Sequence, residues 1–213
     1  MHNDIPHIFA ISHDVICTYL EYYRKTGYKF AGKLKSWDMI KWNAYQNLFL
    51  SKKALNEFLI DDQLILIKSK KKFNGVLKRC FMKEHMFPSK CLSDFFFTIF
   101  KDKNPSIDQT KLILTTLNAT CYVWQAENIA LSDSGLNSEI QSDGKEIDYR
   151  LFFDPSADSE SNFKNLTILR KIRYDNLEPN IEALETRFHN KSELSKNLNL
   201  LRQGKLSRKD VFR

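Results

Sequence analysis

The chain has 213 residues, 42% of them hydrophobic and 13% aromatic, which is ordinary globular material for one sizeable core or two small ones and excludes a disordered chain. Its 33 Lys and Arg against 26 Asp and Glu give a formal charge of +7, which favours a polyanionic partner such as nucleic acid or a membrane surface. With six glycines and no Gly-x-Gly-x-x-Gly, Walker loop, Gly-x-Ser-x-Gly or His-Glu-x-x-His, nucleotide cradles and the common hydrolase motifs are not expected.

In chain order, Ser12 reads as an N-cap, and Val15, Ile16, Tyr19, Leu20 and Tyr23 recur at helical spacing until Gly27. A second helix is expected over residues 36–59, with Trp37, Ile40, Ala44, Leu48, Leu55 and Phe58 on one side. The two would pair as an antiparallel hairpin. From Gln63 the pattern turns to Leu-Ile-Leu-Ile-Lys, and Asn74-Gly75 between apolar runs predicts a β-hairpin that continues to Met82. Pro88 and Ser89 open a helix to about Phe100, Ser106 to Gln109 is a capping box, and residues 120–124 read as a strand.

Residues 132–161 are rich in Ser, Asp and Gly and are expected to loop out, apart from an apolar piece at 147–153. Helices are expected over 163–174, 180–188 and 192–201, with Gly204 as a stop and a frayed basic tail over 205–213. The expected fold is a mainly helical α+β protein in four consecutive parts. These are an N-terminal helical hairpin (1–61), a basic hairpin with helices and the candidate site (62–136), an acidic loop or linker (137–161) and a C-terminal helical region (162–213). The apolar C-terminal positions Ile181, Leu184, Phe188, Leu194, Leu198 and Leu201 suit either the core or a contact with a protein partner or second copy.

Cys17, Cys80, Cys91 and Cys121 form no CxxC pair and read as small buried hydrophobes of a reducing compartment. No stretch approaches the roughly 18 apolar residues of a spanning helix, and no signal peptide is evident, so a cytoplasmic protein with no membrane partner is expected.

Charge is unevenly distributed. Lys70, Lys71, Lys72, Lys78, Arg79 and Lys83 crowd the hairpin region, where they read as contacts to nucleic-acid phosphates. Lysine-rich hairpin edges also serve to block strand-to-strand aggregation. Lys83-Glu84-His85-Met86-Phe87-Pro88 then sets an acid and an imidazole side by side between this basic strand and a helix start. A carboxylate, an imidazole and lysines are what metal-assisted phosphodiester chemistry uses. The same residues also suit a surface pair at a strand end, with His85 capping the next helix or satisfying a carbonyl.

Over about residues 76–100, the basic hairpin, Glu84-His85 and the Pro88-initiated helix resemble the His-Me finger (HNH-like) nucleases. That resemblance implies His85 as general base, Glu84 as metal-binding acid, and one divalent cation, Mg or Mn, on the scissile phosphate. No second His follows on the helix and no zinc-knuckle cysteines brace the finger, which are departures from that family. Downstream, Tyr122-Val123-Trp124-Gln125-Ala126-Glu127-Asn128, Leu131 and Gly135-Leu136 extend a similarity to an uncharacterised bacterial family with a Glu-His-x-x-Pro motif. In the nuclease reading Glu127 or Asn128 is a second metal ligand, although a Glu in a first helical turn is also favoured by the macrodipole alone. Arg79 and His85 match the Arg-to-His spacing of HEPN ribonucleases, against which stands the strand-like Asn74-Gly75 segment. HEPN enzymes act without metal, whereas the His-Me finger resemblance implies a metal-dependent nuclease acting on DNA or RNA, in a bacterial defence or mobile-element setting. The alternative is a non-catalytic nucleic-acid-binding or assembly subunit using the basic hairpin and C-terminal helices.

Overall fold

The computed structural model describes residues 5–28, 47–136, 141–142 and 145–213. Helix α1 spans Ile5–Thr26. Strand β1 (Leu48–Ser51) runs straight into α2 (Lys52–Ile60), because the buried Ser51 hydroxyl accepts from the Ala54 amide at 3.0 Å and caps the helix. Strands β2 (Lys70–Phe73) and β3 (Val76–Arg79) form a separate ribbon, followed by β4 (Phe81–His85). Then come α3 (Ser89–Ile99), α4 (Ile107–Leu117), β5 (Thr120–Trp124) and α5 (Gln125–Asp133). The short strands β6 (Gln141–Ser142) and β7 (Lys145–Glu146), a 3-10 turn at Tyr149–Leu151, and α6 (Ser159–Asp175) follow. Strand β8 (Ala183–Glu185), α7 (Lys191–Arg202) and α8 (Arg208–Val211) complete a mainly helical α+β fold.

The chain folds into two compact units, each drawn from three separated stretches rather than from consecutive segments. One takes its described residues from Met1–Gln46, Phe87–Asn118 and Ser138–Ile172. Its core is built on phenylalanine: the Phe95 ring meets Phe96, Phe153 and Tyr149 at centroid distances of 6.1, 5.9 and 5.5 Å, mostly edge to face. Ile16 and Leu20 of α1, and Leu114 and Leu117 of α4, close around these rings. The expected capping box of α4 is present, with Ser106 and Gln109 bonded reciprocally.

The other unit comprises Asn47–Met86, Ala119–Asn137 and Arg173–Arg213 and holds a four-stranded sheet in the order β4-β5-β1-β8. Strands β1 and β5 are parallel and central, with Leu48 opposite Thr120 and Leu50 opposite Tyr122, while β4 and β8 flank them antiparallel. Side chains alternate across the sheet. Leu48, Leu50, Tyr122 and Trp124 face a core completed by Ala54, Leu55 and Phe58 of α2 and Leu194 and Leu198 of α7. Phe49, Cys121 and Val123 face the opposite core with Leu131 of α5, Tyr174, Leu177 and Ile181.

Several expectations change. Residues 36–46 lie outside the described residues, and 48–51 form a central strand rather than the end of a helix. Leu48, Phe49, Leu50 and Ser51 are all buried, as in a strand covered on both faces, where no helical stripe survives. Residues 63–68 are turns, although Leu64 and Leu66 are buried. The hairpin strand breaks at Cys80, so β3 and β4 belong to different sheets. Residues 183–185 are a strand, since hydrogen bonding to the β1 edge overrides the helical spacing of Ile181, Leu184 and Phe188. The tail is docked: a Ser207 and Asp210 capping box starts α8, Val211 is buried, and Phe212 bridges Thr186. Leu194 and Leu198, expected as a possible partner surface, are fully buried within their own unit. All four cysteines are free thiols, and three of them are buried. Among the described residues no helix is long and apolar enough to cross a membrane.

Arg202 closes this unit. Its guanidinium donates to the carbonyls of Phe58, Asp62 and Leu64 at 2.6 to 3.0 Å and lies 3.5 Å from the centroid of the Phe58 ring. It thereby satisfies the chain leaving α2, which has no ladder of its own. Arg202→Ala is expected to cost about 2–4 kcal/mol, because three carbonyls are deprived of a charged donor and the ring of its stacked cation. Arg202→Lys should recover only part, since an ammonium lacks the planar fork. Urea unfolding at constant m-value measures both, and a cost below about 1 kcal/mol for the Ala variant would contradict this role.

Candidate nucleic-acid interface

The β2–β3 ribbon is closed by Asn74 at φ 50° and Gly75 at φ 77°, the pair of left-handed residues that a two-residue hairpin turn requires. Its register sets Lys70 opposite Arg79 and Lys71 opposite Lys78, so like charges face each other twice on one two-stranded element. Such pairs oppose folding. Alternation divides the ribbon into two faces. Lys71 and Phe73 lie on the face that meets the sheet: Phe73 packs edge-on against Trp124 at 5.4 Å, and Lys71 sits 6.0 Å over the same ring while pairing with Asp61 at 2.7 Å. Lys70, Lys72 and Arg79 are exposed on the other face, beside an exposed Leu77. The six cations expected to act together are therefore split, with Lys71 and Lys78 turned away from this outer face and Lys83 carried on β4.

The same rule separates Glu84 from His85. Neighbours on one strand project to opposite faces, so Glu84 shares a face with Met82 and its ladder partner Cys121, whereas His85 shares one with Lys83, opposite Thr120 and Tyr122. Glu84 is half-buried and forms an ion pair at 3.6 Å with Arg173, a fully buried residue. Arg173 also donates from Nη1 to the His85 carbonyl at 2.6 Å. Burial pushes the Glu84 carboxyl above its ordinary range, and the Arg173 charge only partly opposes this. His85 is partly buried at the end of β4.

Glu127 lies elsewhere in the sheet, in the first turn of α5. Its Oε2 accepts from the Trp124 amide at 2.7 Å and from the Ser51 hydroxyl at 2.5 Å, tying the starts of α5 and α2 together. Burial again raises the carboxyl, and these two donors oppose it. Asn128, next on α5, is half-buried. Because α2 covers one face of the sheet and α5 the other, the C-terminal ends of β1 and β5 form a switch point of the kind that opens crevices in α/β sheets. A crevice of about 380 Å³ opens there, lined by Lys52, Lys53, Asn56, Glu127 and Asn180 among others. Among the described residues no group of three or more His, Cys, Asp or Glu side chains is placed to hold a metal ion, so Glu84, His85 and Glu127 are not gathered into one.

No protein-family model, curated protein or solved structure matches this chain. Sequence reasoning missed Arg173, Asp61 and Trp124. Arg173 had a signal: it falls on the stripe of Leu166 and Leu169 in α6, and a cation on an apolar stripe needs a buried acceptor.

Glu84 predicts a pH dependence. A carboxyl raised in the folded state favours folding fully below its unfolded value, near the ordinary 4.5, and that contribution is lost as pH rises through the folded value. Wild type should therefore gain stability relative to Glu84→Gln as pH falls from 7 toward 4.5, followed by chemical denaturation. A difference that stays flat over this span, or runs the other way, would contradict the burial argument.

Proposed function

We propose that the protein binds nucleic acid through the outer face of the β2–β3 ribbon. The observation that carries this reading is the opposition of Lys70 and Arg79, with Lys72 beside them, on the exposed outer face of the ribbon. One acid, Asp61, answers Lys71 on the inner face. Polyanion binding would relieve the repulsion that the free ribbon bears, and a two-stranded antiparallel ribbon has the dimensions to enter the major groove of a duplex. The exposed Leu77 between these cations suits contact with a base or sugar more than with bulk water. The opposite projection of Glu84 and His85, and the ties of Glu84 to Arg173 and of Glu127 to Ser51, favour binding over metal-dependent cleavage as the role of this surface.

Replacing Lys70, Lys72 and Arg79 together by Gln should weaken duplex binding and reduce its log-log salt slope by up to about 3 units, one for each phosphate that these side chains neutralise. Replacing Lys71 should matter less, because its ammonium is held by Asp61. An unchanged slope in the triple variant, with the fold intact, would place the binding surface elsewhere.

Cleavage is tested separately by incubating the protein with plasmid DNA and RNA in Mg²⁺ or Mn²⁺. Both substrates are expected to survive. Cleavage that disappears in His85→Ala while affinity is retained would instead establish the nuclease reading, since a general base contributes about 10²–10⁴-fold to rate and little to binding.

A further inference from the structure

Beyond the ribbon, one part of the sheet gathers cationic and hydroxyl donors on a single face. Lys83 on β4 lies directly opposite Tyr122 in the ladder, and Lys191, at the start of α7, places its Nζ 5.8 Å from the centroid of the same ring. Lys191 has no ion pair among the described residues. Burial and the charge of Lys191 both hold the Lys83 ammonium below its ordinary range, as expected of two cations brought close together.

The same face of the sheet and the helix over it also carry hydroxyls without a hydrogen-bond partner among the described residues. Tyr122 and Thr120 are at least nine-tenths buried and share this face of β5, and neither hydroxyl has a hydrogen-bond partner there. Ser195 follows Lys191 by one turn of α7, and its buried hydroxyl is likewise unpartnered. His85 is on the same face, opposite Thr120. Buried polar atoms of native proteins nearly always find a partner, so unpartnered hydroxyls on the sheet face and the helix that carry Lys83 and Lys191 point to an absent acceptor.

We infer that Lys83 and Lys191 hold a phosphate group over Tyr122, with the Tyr122 hydroxyl as an additional donor. A carboxylate offers two oxygens and one charge, whereas a phosphomonoester offers three acceptor oxygens and more charge, matching two ammonium groups with hydroxyls on the same face. The better match is therefore a phosphomonoester, and a backbone phosphodiester, with two free oxygens and one charge, is the other source that the test separates. This site does not depend on the ribbon.

The test is titration of the full chain with inorganic phosphate, a nucleoside monophosphate and a short single-stranded oligonucleotide without terminal phosphate, followed by calorimetry and thermal unfolding, with chloride at matched ionic strength as the reference. Lys83→Gln and Lys191→Gln should each weaken phosphate binding about tenfold or more. Tyr122→Phe keeps the ring and removes the unsatisfied hydroxyl. It should leave the ligand-free protein at least as stable as wild type, yet reduce the gain in melting temperature on adding phosphate. The ribbon triple variant should keep wild-type phosphate affinity, so failure of the ribbon reading would not mimic failure of this one. Sensitivity of the monophosphate to both lysine variants identifies a free phosphoester as the ligand, and sensitivity of the oligonucleotide alone identifies a backbone phosphodiester. The proposal is overturned if no phosphate-bearing probe outperforms chloride, or if binding survives both lysine variants unchanged.

Discussion

The parallel pairing of β1 with β5 is the constraint on which the sheet-containing unit depends. It joins Leu48 to Thr120 and Leu50 to Tyr122 across a long excursion of chain, and it makes both strands central. A central strand has no edge and two covered faces, so each residue of β1 and β5 is buried. The two helices that leave these strands then take opposite faces, α2 toward Leu50 and Tyr122, α5 toward Phe49 and Val123. Glu127 links the two departures by accepting from Ser51 and from the Trp124 amide at once.

Alternation on β4 and β5 turns this architecture into an electrostatic division. On one face Trp124 supports the ribbon, Tyr122 lies beneath Lys191 and opposite Lys83, and His85 follows at the strand end. Glu84, the acid nearest in sequence to these cations, projects to the other face and meets Arg173. The carboxylate next to Lys83 in the chain is thereby kept off that face. Burial of Arg173 has its own cost, which the Glu84 charge and the His85 carbonyl offset only in part, because Nε and Nη2 remain without hydrogen-bond partners among the described residues.

The phenylalanine-rich unit follows a different logic. Its packing rests on ring-to-ring geometry around Phe95, which comes from one dense segment of α3, and on helix faces with plain amphipathic spacing. It also buries Arg170, whose Nη1 donates to the Thr116 carbonyl at 3.0 Å. Most of the buried side-chain atoms without a hydrogen-bond partner among the described residues belong to the sheet-containing unit, at Thr120, Tyr122, Arg173, Tyr174 and Ser195.

Local chemistry in the sequence determined the elements whose signals need no distant partner. Asn74-Gly75 specifies its turn through two positive φ angles, Ser106 and Gln109 bond each other within one helical turn, and α6 and α7 carry their own apolar stripes. Strand parity was also legible: once residues 81–85 are read as a strand, adjacent Glu84 and His85 project to opposite faces of the sheet. Tertiary structure alone decided the rest. Residues 48–51 and 183–185 carry spacings that suit a helix, and they are strands only because each supplies hydrogen bonds to the other and, for β1, to β5. Lys191 and Lys83 are far apart in the chain and both come to Tyr122, one over its ring and one across the ladder, because α7 packs on that face of the sheet, a juxtaposition that no local pattern encodes.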